Sequence, residues 1–153
     1  MKILFATDGS KYSERAAKQA CSLFLGAKDL NIKIVSAAEN ASPIVAEQIV
    51  VSNDLFLRAA AESKKAATNA VESLKDMIEK AFEGVEGHEI EIAVIEDSPK
   101  EAIVKEAEEW GADLIVVGSH GYGFWDRMLI GSVSDAIVHH APCSVLVVRE
   151  FPE

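Results

Sequence analysis

The feature that most constrains this chain is a regular alternation of short apolar runs with longer segments of helical period. Runs typical of β-strands occur at residues 2–6, 31–37, 89–96, 113–117 and 144–149. Three of these runs contain unbroken apolar stretches, at residues 3–6, 114–117 and 145–148. Unbroken apolar strands are typical of a parallel sheet that helices cover on both faces. The alternation therefore predicts an α/β fold.

The segments between the strands carry the start and stop signals of helices. One begins near Ser10 and ends before Gly26, and a long one covers about 54–82. Ser98 and Ser132 are the expected N-caps of two further helices, because a serine there can accept a hydrogen bond from an orphan backbone N–H. Strands joined by helices of this length predict a doubly wound parallel sheet in one domain that covers the whole chain.

Two segments depart from the simple pattern. The run at 89–96 alternates apolar residues with Glu89 and Glu91, which predicts an outer strand. Residues 40–53 give no clear period: Ser42-Pro43 can start a short helix, whereas 49–51 fit equally well in a flap over the sheet edge. No element is assigned to this segment.

The charge balance limits the partners of the chain. Its 153 residues include 15 Lys and Arg against 25 Asp and Glu, a formal net charge of −10. Such an excess of negative charge argues against non-specific binding to nucleic acid or to an anionic membrane surface. No stretch approaches the roughly 20 apolar residues of a membrane span. We expect a soluble cytoplasmic protein in which Cys21 and Cys143 are reduced thiols.

Unusual residues follow two of the predicted strands. Thr7 and Asp8 follow the first, a glycine-rich stretch at 118–123 follows the fourth, and Gly131-Ser132 precedes a helix. Ligands of doubly wound sheets bind at the carboxyl ends of strands, and glycine N–H groups with a helix N-terminus can hold a phosphate. A simple strand-to-loop turn also favours glycine. Neither a Walker A loop nor a G-x-G-x-x-G motif is present.

The glycine spacing identifies a known family. Gly118-x-x-Gly121, nine further residues and Gly131-Ser132 resemble the ATP-binding pattern G-x-x-G-x(9)-G-[S/T] of the universal stress protein family. The segments at 3–10, 112–118 and 141–148 are also similar to that family, in order along the whole chain. We accordingly expect a five-stranded parallel sheet of strand order 3-2-1-4-5 with helices on both faces.

The resemblance implies that the chain binds ATP together with Mg²⁺. Asp8 would lie near the ribose and phosphates or near their metal, and Ala37 near the adenine. The nucleotide-binding residues that it implies are Ala6, Thr7, Asp8, Ala37, Val117, Gly118, Gly121, Gly131, Ser132, Val133 and Ser134. The loop at 122–127 is more aromatic than is usual in the family, and its Arg127 adds a positive charge suited to a triphosphate.

Several functions are compatible with these residues. We expect a stress-response regulator that ATP switches, with no catalytic residue. The alternatives are a protein-interaction module with a vestigial nucleotide site and a slow Mg-dependent ATPase. Asp8 can instead cap the first helix, and His120 is more simply a cap or a solvent-exposed side chain than a general base.

The last predicted strand suggests an assembly. It carries no interior charge that would protect an exposed edge, so it favours pairing with a second copy. The resemblance to the family implies a homodimer formed by antiparallel pairing of this strand. The residues concerned are Val145, Leu146, Val147 and Val148. Other protein partners cannot be identified from the sequence.

Overall fold

Strands and helices alternate through the computed structural model, which describes residues 1–39, 53–119 and 131–149. Each strand begins and ends within one residue of its predicted bounds. The elements are β1 (Lys2–Ala6), α1 (Lys11–Phe24), β2 (Leu30–Ala37), α2 (Asn53–Ala81), β3 (His88–Ile95), α3 (Pro99–Trp110), β4 (Leu114–Gly118), α4 (Ser132–His140) and β5 (Ser144–Val148). The unassigned segment at 40–53 lies almost entirely outside the described residues.

The strands form one parallel sheet of order β3-β2-β1-β4-β5, which confirms the predicted fold. β1 lies in the centre, with Ile3 opposite Ile32 of β2 on one side and Leu114 of β4 on the other. The chain therefore adds β2 and then β3 on one side of β1, and afterwards β4 and then β5 on the other side. This reversal places a crevice beyond the carboxyl ends of β1 and β4.

Both faces of the sheet are covered, which explains the unbroken apolar strands. Phe5 points to the face under α1 and α2, where it packs in a buried cluster with residues such as Leu74 and Ile78. Its neighbour Leu4 points to the opposite face, where it packs with Ile103 of α3 and Ile137 of α4. Successive strand residues thus enter different cores, so each of them is apolar.

The two ends of the sheet are β3 and β5. β3 is an outer strand, as predicted, and its Ile90 and Val94 pack against the α1–α2 core while Ile92 is 42% exposed. At the other end, the four apolar residues 145–148 of β5 are all half-buried. The predicted dimer requires β5 to be an edge strand, and it is one. The pairing of β5 with a second copy stays a prediction.

Two of the three serines at the predicted helix starts are N-caps in the structure. Ser10 caps α1 and accepts a hydrogen bond from the Ser13 N–H at 3.3 Å. Ser98 precedes α3, although its hydroxyl donates to the Glu101 carboxylate at 3.1 Å instead of accepting from the backbone. The third prediction is wrong by one residue, because Gly131 is the N-cap of α4 and Ser132 is its first residue.

The cysteines are free thiols: Cys21 is buried and Cys143 is half-buried. Burial raises the pKa of Cys21 to about 11. Burial and the nearby Asp113 carboxylate raise the pKa of Cys143. Both therefore carry their protons at neutral pH, when they are weak nucleophiles. Within the described ranges, no helix has the length and apolar character to cross a bilayer.

Candidate functional site

A cleft of about 470 Å³ lies beyond the carboxyl ends of β1 and β4, at the reversal of strand order. Every predicted nucleotide-binding residue that the structure describes lines this cleft. Gly121 and Arg127 lie outside the described residues. The cleft is lined by Ala6, Thr7, Asp8, Ser13, Ser36, Ala37, Glu39, Ser63, Ala66, Ala67, Pro99, Ile103, Val117, Gly118, Gly131, Ser132, Val133 and Ser134.

The turn after β1 is held by its own side chains. The hydroxyl of Thr7 lies 3.0 Å from that of Ser13 and accepts a hydrogen bond from the Gly9 N–H at 3.1 Å. Asp8 Oδ1 accepts hydrogen bonds from the Ser10 N–H at 3.0 Å and from the Ser10 hydroxyl at 2.6 Å. Asp8 thus orients Ser10, the residue that caps α1, and is not the cap itself. The predicted alternative that Asp8 caps the first helix is therefore wrong, and its carboxylate lies in a turn that lines the cleft.

The carboxyl end of β4 is tied to the start of α4. The Ser119 carbonyl oxygen accepts hydrogen bonds from the Gly131 N–H at 2.8 Å and from the Ser134 hydroxyl at 3.4 Å. The Ser134 hydroxyl also lies 2.9 Å from the Gly131 carbonyl oxygen. These bonds fix the first turn of α4 against the cleft, so Ser132 and Val133 line it with the strand ends.

The shift of the N-cap from Ser132 to Gly131 changes the chemistry at this helix start. Glycine has no side chain that could accept a hydrogen bond from the first N–H groups of α4, and no such cap is present. The first N–H groups of a helix also lack partners within the helix itself. They can therefore donate to an anion, with the positive end of the helix dipole behind them.

Gly118 is required by close packing at the cleft. A Cβ atom on Gly118 would lie 3.1 Å from the Tyr12 carbonyl oxygen and 3.2 Å from its carbonyl carbon. These are backbone atoms of α1, which cannot rotate away as a side chain can. The glycine thus lets β4 and α1 approach each other next to the cleft.

Sequence reasoning missed one wall of the cleft. Ser63, Ala66 and Ala67 of α2 line it, as do Pro99 and Ile103 of α3. The spacing of small residues at 63, 66, 67 and 70 was the available signal, since positions three and four apart share a helix face. A Cβ on Gly9 would lie 3.2 Å from Ala70 Cβ, so the turn after β1 packs directly on this face.

The charges of the cleft are sparse. Among its described lining residues, only Asp8 and Glu39 carry a formal charge, and both are acidic. Within the same part of the chain, no group of three or more His, Cys, Asp or Glu side chains could hold a metal ion. Donors for an anion in the described part of the cleft are therefore N–H and hydroxyl groups.

Comparison with known proteins gives a consistent result. The family model described as the universal stress protein family matches residues 1–149. A universal stress protein of Methanocaldococcus jannaschii is 33% identical over 150 residues, which cover 97% of this chain and 82% of that protein. A Staphylococcus haemolyticus relative of the same family name is 56% identical over 59 residues, but the match spans only 36% of its length.

Two solved structures share the fold. One, determined to assign the biochemical function of a hypothetical protein, has a TM-score of 0.80 and 26% identity over 99% of this chain and 97% of its own. The other is a universal stress protein in complex with cAMP, with a TM-score of 0.64 and 26% identity over 97% of this chain and 96% of its own.

Proposed function

The chain belongs to the universal stress protein family, and on that basis we propose that it binds an adenine nucleotide, ATP, in the cleft beyond β1 and β4. The bound nucleotide makes the protein a switch in a stress response. The solved relative in complex with cAMP supports an adenine nucleotide as the class of ligand.

The observation that carries the proposal is the convergence of four separate chain segments on one cleft. Ala6 to Asp8 come from the end of β1, Ala37 from β2, Val117 and Gly118 from β4, and 131–134 from the start of α4. The cleft volume of about 470 Å³ is in the range of small-molecule sites, roughly 300–1,000 Å³.

The phosphates are best accommodated at the start of α4. Its uncapped N–H groups supply donors, and the hydroxyl of Ser132 is exposed beside them. The acidic side chain of Asp8 disfavours a bare triphosphate nearby but suits one that carries Mg²⁺, because the cation neutralises part of the phosphate charge. We therefore propose Mg–ATP as the bound species.

The adenosine is best accommodated against the apolar part of the cleft. Ala66 and Ala67 of α2 and Val117 of β4 offer flat surface without long side chains. Ala37 stands at the end of β2, where β1 has already ended at Ala6, so its backbone lies at the open crevice. Small side chains on both walls leave the width that a planar base needs.

A switch requires the site to be connected to a surface that partners contact. The Ser119 N–H donates to the Val148 carbonyl oxygen of β5 at 2.9 Å, and the Ser119 carbonyl oxygen accepts from Gly131 at the cleft. We propose that a nucleotide at α4 is sensed through this residue at β5, the strand where a second copy would pair.

A charge reversal at the start of α4 tests the site. Ser132→Glu puts a carboxylate where we place the phosphates, and one like-charge contact at 4 Å costs on the order of 4 kcal/mol near a protein surface before screening. We expect the Kd for Mg–ATP, measured by titration calorimetry, to rise at least about tenfold. Ser132 is exposed, and an acidic residue in the first helical turn is favourable, so the fold is retained.

The matched control is Ser73→Glu, the same change at an exposed serine of α2 that does not line the cleft. Its Kd should equal that of the wild type. Equal affinity in the wild type and in folded Ser132→Glu would remove α4 from the binding site.

A further inference from the structure

Ser36 of β2 is a buried polar side chain that the fold itself does not explain. It is 2% exposed and lines the cleft, and its hydroxyl has no hydrogen-bond partner among the residues that the structure describes. The other buried hydroxyls in the cleft lining, those of Thr7, Ser13 and Ser134, all take part in hydrogen bonds. Burial of a polar group without a partner costs free energy, so an orphan hydroxyl that faces a cleft points to a ligand.

Ser36 lies where an apolar face of β2 would otherwise continue. Ile34, two residues earlier and therefore on the same face, packs in a buried cluster with Leu74 of α2. At the next position on this face the strand has Ser36, and the small Ala67 of α2 lines the cleft with it. A larger apolar side chain at position 36 would extend the core. Serine ends the core there and gives this part of the cleft a polar wall.

The order of the strands decides which part of a nucleotide can reach Ser36. Neighbouring strands are about 4.8 Å apart, so β2 and β4, with β1 between them, lie about 10 Å apart. The start of α4, where we place the phosphates, is also on the other face of the sheet, since Val133 of α4 packs in the cluster that contains Val35. Ser36 is therefore far from the phosphates and close to Ala37, where we place the adenine.

Given the nucleotide site proposed above, on which this step rests, we propose that Ser36 recognises the 6-amino group of adenine. The amino group lies on the edge of the base away from the ribose, and it donates to the Ser36 hydroxyl oxygen, which can accept a hydrogen bond. Glu39, which follows the same strand, also lines the cleft, and its carboxylate accepts hydrogen bonds but donates none. Two acceptors suit an amino group better than the carbonyl group that other purines carry at this position.

A role in recognition and a role in the fold have opposite consequences for Ser36. In the empty protein its hydroxyl lacks a partner among the described residues, and the bound base supplies one. Removal of the hydroxyl should therefore weaken binding of the base without weakening the fold. A serine that only stabilised the fold would show the reverse, a loss of stability and no preference for one base over another.

The test compares ATP with purine riboside triphosphate, in which a hydrogen atom replaces the 6-amino group. Each nucleotide is titrated calorimetrically, with Mg²⁺, into the wild type and into Ser36→Ala. We expect Ser36→Ala to raise the Kd for ATP about three- to tenfold, as is typical of one hydrogen bond, and to leave the Kd for the analogue unchanged. The free energy of unfolding of the empty variant, measured in urea, should not fall below that of the wild type.

Ser73→Ala is the matched control, because it removes an exposed hydroxyl of α2 that does not line the cleft, and it should leave both Kd values unchanged. If Ser36→Ala changes the Kd of the two nucleotides equally, or changes neither, Ser36 does not recognise the amino group, although the nucleotide site itself remains. If ATP does not bind to the wild type, the proposed function is wrong, and the role of Ser36 is refuted with it.

Discussion

The polar residues of the turn after β1 are fixed before any ligand arrives. Thr7 and Asp8 hold the turn through Ser13, Gly9 and Ser10, with distances of 2.6–3.1 Å. Such preorganisation lowers the cost of ordering side chains when a ligand binds. It also shows why Asp8 could not be given one role from the sequence, since the same carboxylate both orders the start of α1 and lines the cleft.

Cys21 gives a residue-scale prediction about pH. Its pKa of about 11 in the fold exceeds that of an exposed thiol, near 8.5, so the unfolded chain releases this proton first. Its contribution to stability is therefore complete below about pH 8.5 and is lost as the pH rises towards 11. We expect urea unfolding of Cys143→Ser to show a steeper loss of stability between pH 9 and 11 than unfolding of the double variant Cys21→Ala/Cys143→Ser.

Both variants contain the same lysines and tyrosines, which titrate in the same pH range, so the difference between the two stability profiles reports on Cys21 alone. Parallel pH profiles of the two variants would show that the Cys21 thiol is solvated in the native state.

At the scale of elements, the strands were predictable and the cleft walls only partly so. Apolar runs such as Leu114–Val117 define strands because both faces of the sheet are covered. The N-cap of α4 was misplaced by one residue, because Gly131 and Ser132 are both good N-cap residues and the sequence does not rank them. The α2 wall was missed because small residues at helical spacing fit a buried core equally well.

The contact of β4 with α1 yields a stability prediction. Gly118→Ala places a methyl group 3.1 Å from the Tyr12 carbonyl oxygen, so α1 must move by a few tenths of an ångström. We expect the free energy of unfolding in urea to fall by about 1–3 kcal/mol, as in other overpacked cores. Affinity for a nucleotide should also fall, since Gly118 lines the cleft.

Gly26→Ala is the matched control, because a Cβ there meets nothing within 4 Å. It should be neutral or stabilise the fold by up to about 1 kcal/mol through the unfolded state. If the two variants have the same free energy of unfolding, the close approach of β4 and α1 does not require glycine at position 118.

At the scale of the whole molecule, the two sheet edges differ in character. The outer strand β3 alternates glutamates with apolar residues, which protects an edge from pairing, whereas β5 is apolar from Val145 to Val148. The Val148 carbonyl oxygen accepts a hydrogen bond from the N–H of Ser119, the residue after β4, so it faces β4. By strand alternation, the N–H groups of Val145 and Val147 therefore face the open edge. We propose that these groups pair with a second copy of the chain.

Proline at the open edge tests this dimer. Val147→Pro removes one outward N–H without breaking a bond to β4, so light scattering should give the 16.5 kDa monomer mass, against twice that mass for the wild type. Ile92→Pro makes the same change on the outward side of β3 and should stay dimeric. A monomeric wild type at micromolar concentration would contradict the pairing.

The most direct test of the central claim, adenine-nucleotide binding in the cleft, is to identify what the native protein carries. The protein is purified without denaturant and then unfolded, and any released nucleotide is separated by chromatography. Mg–ATP is next titrated calorimetrically into protein freed of ligand. We predict an adenine nucleotide in the released fraction or a Kd in the micromolar range. No released nucleotide, together with no binding heat for adenine or guanine nucleotides, would contradict the account.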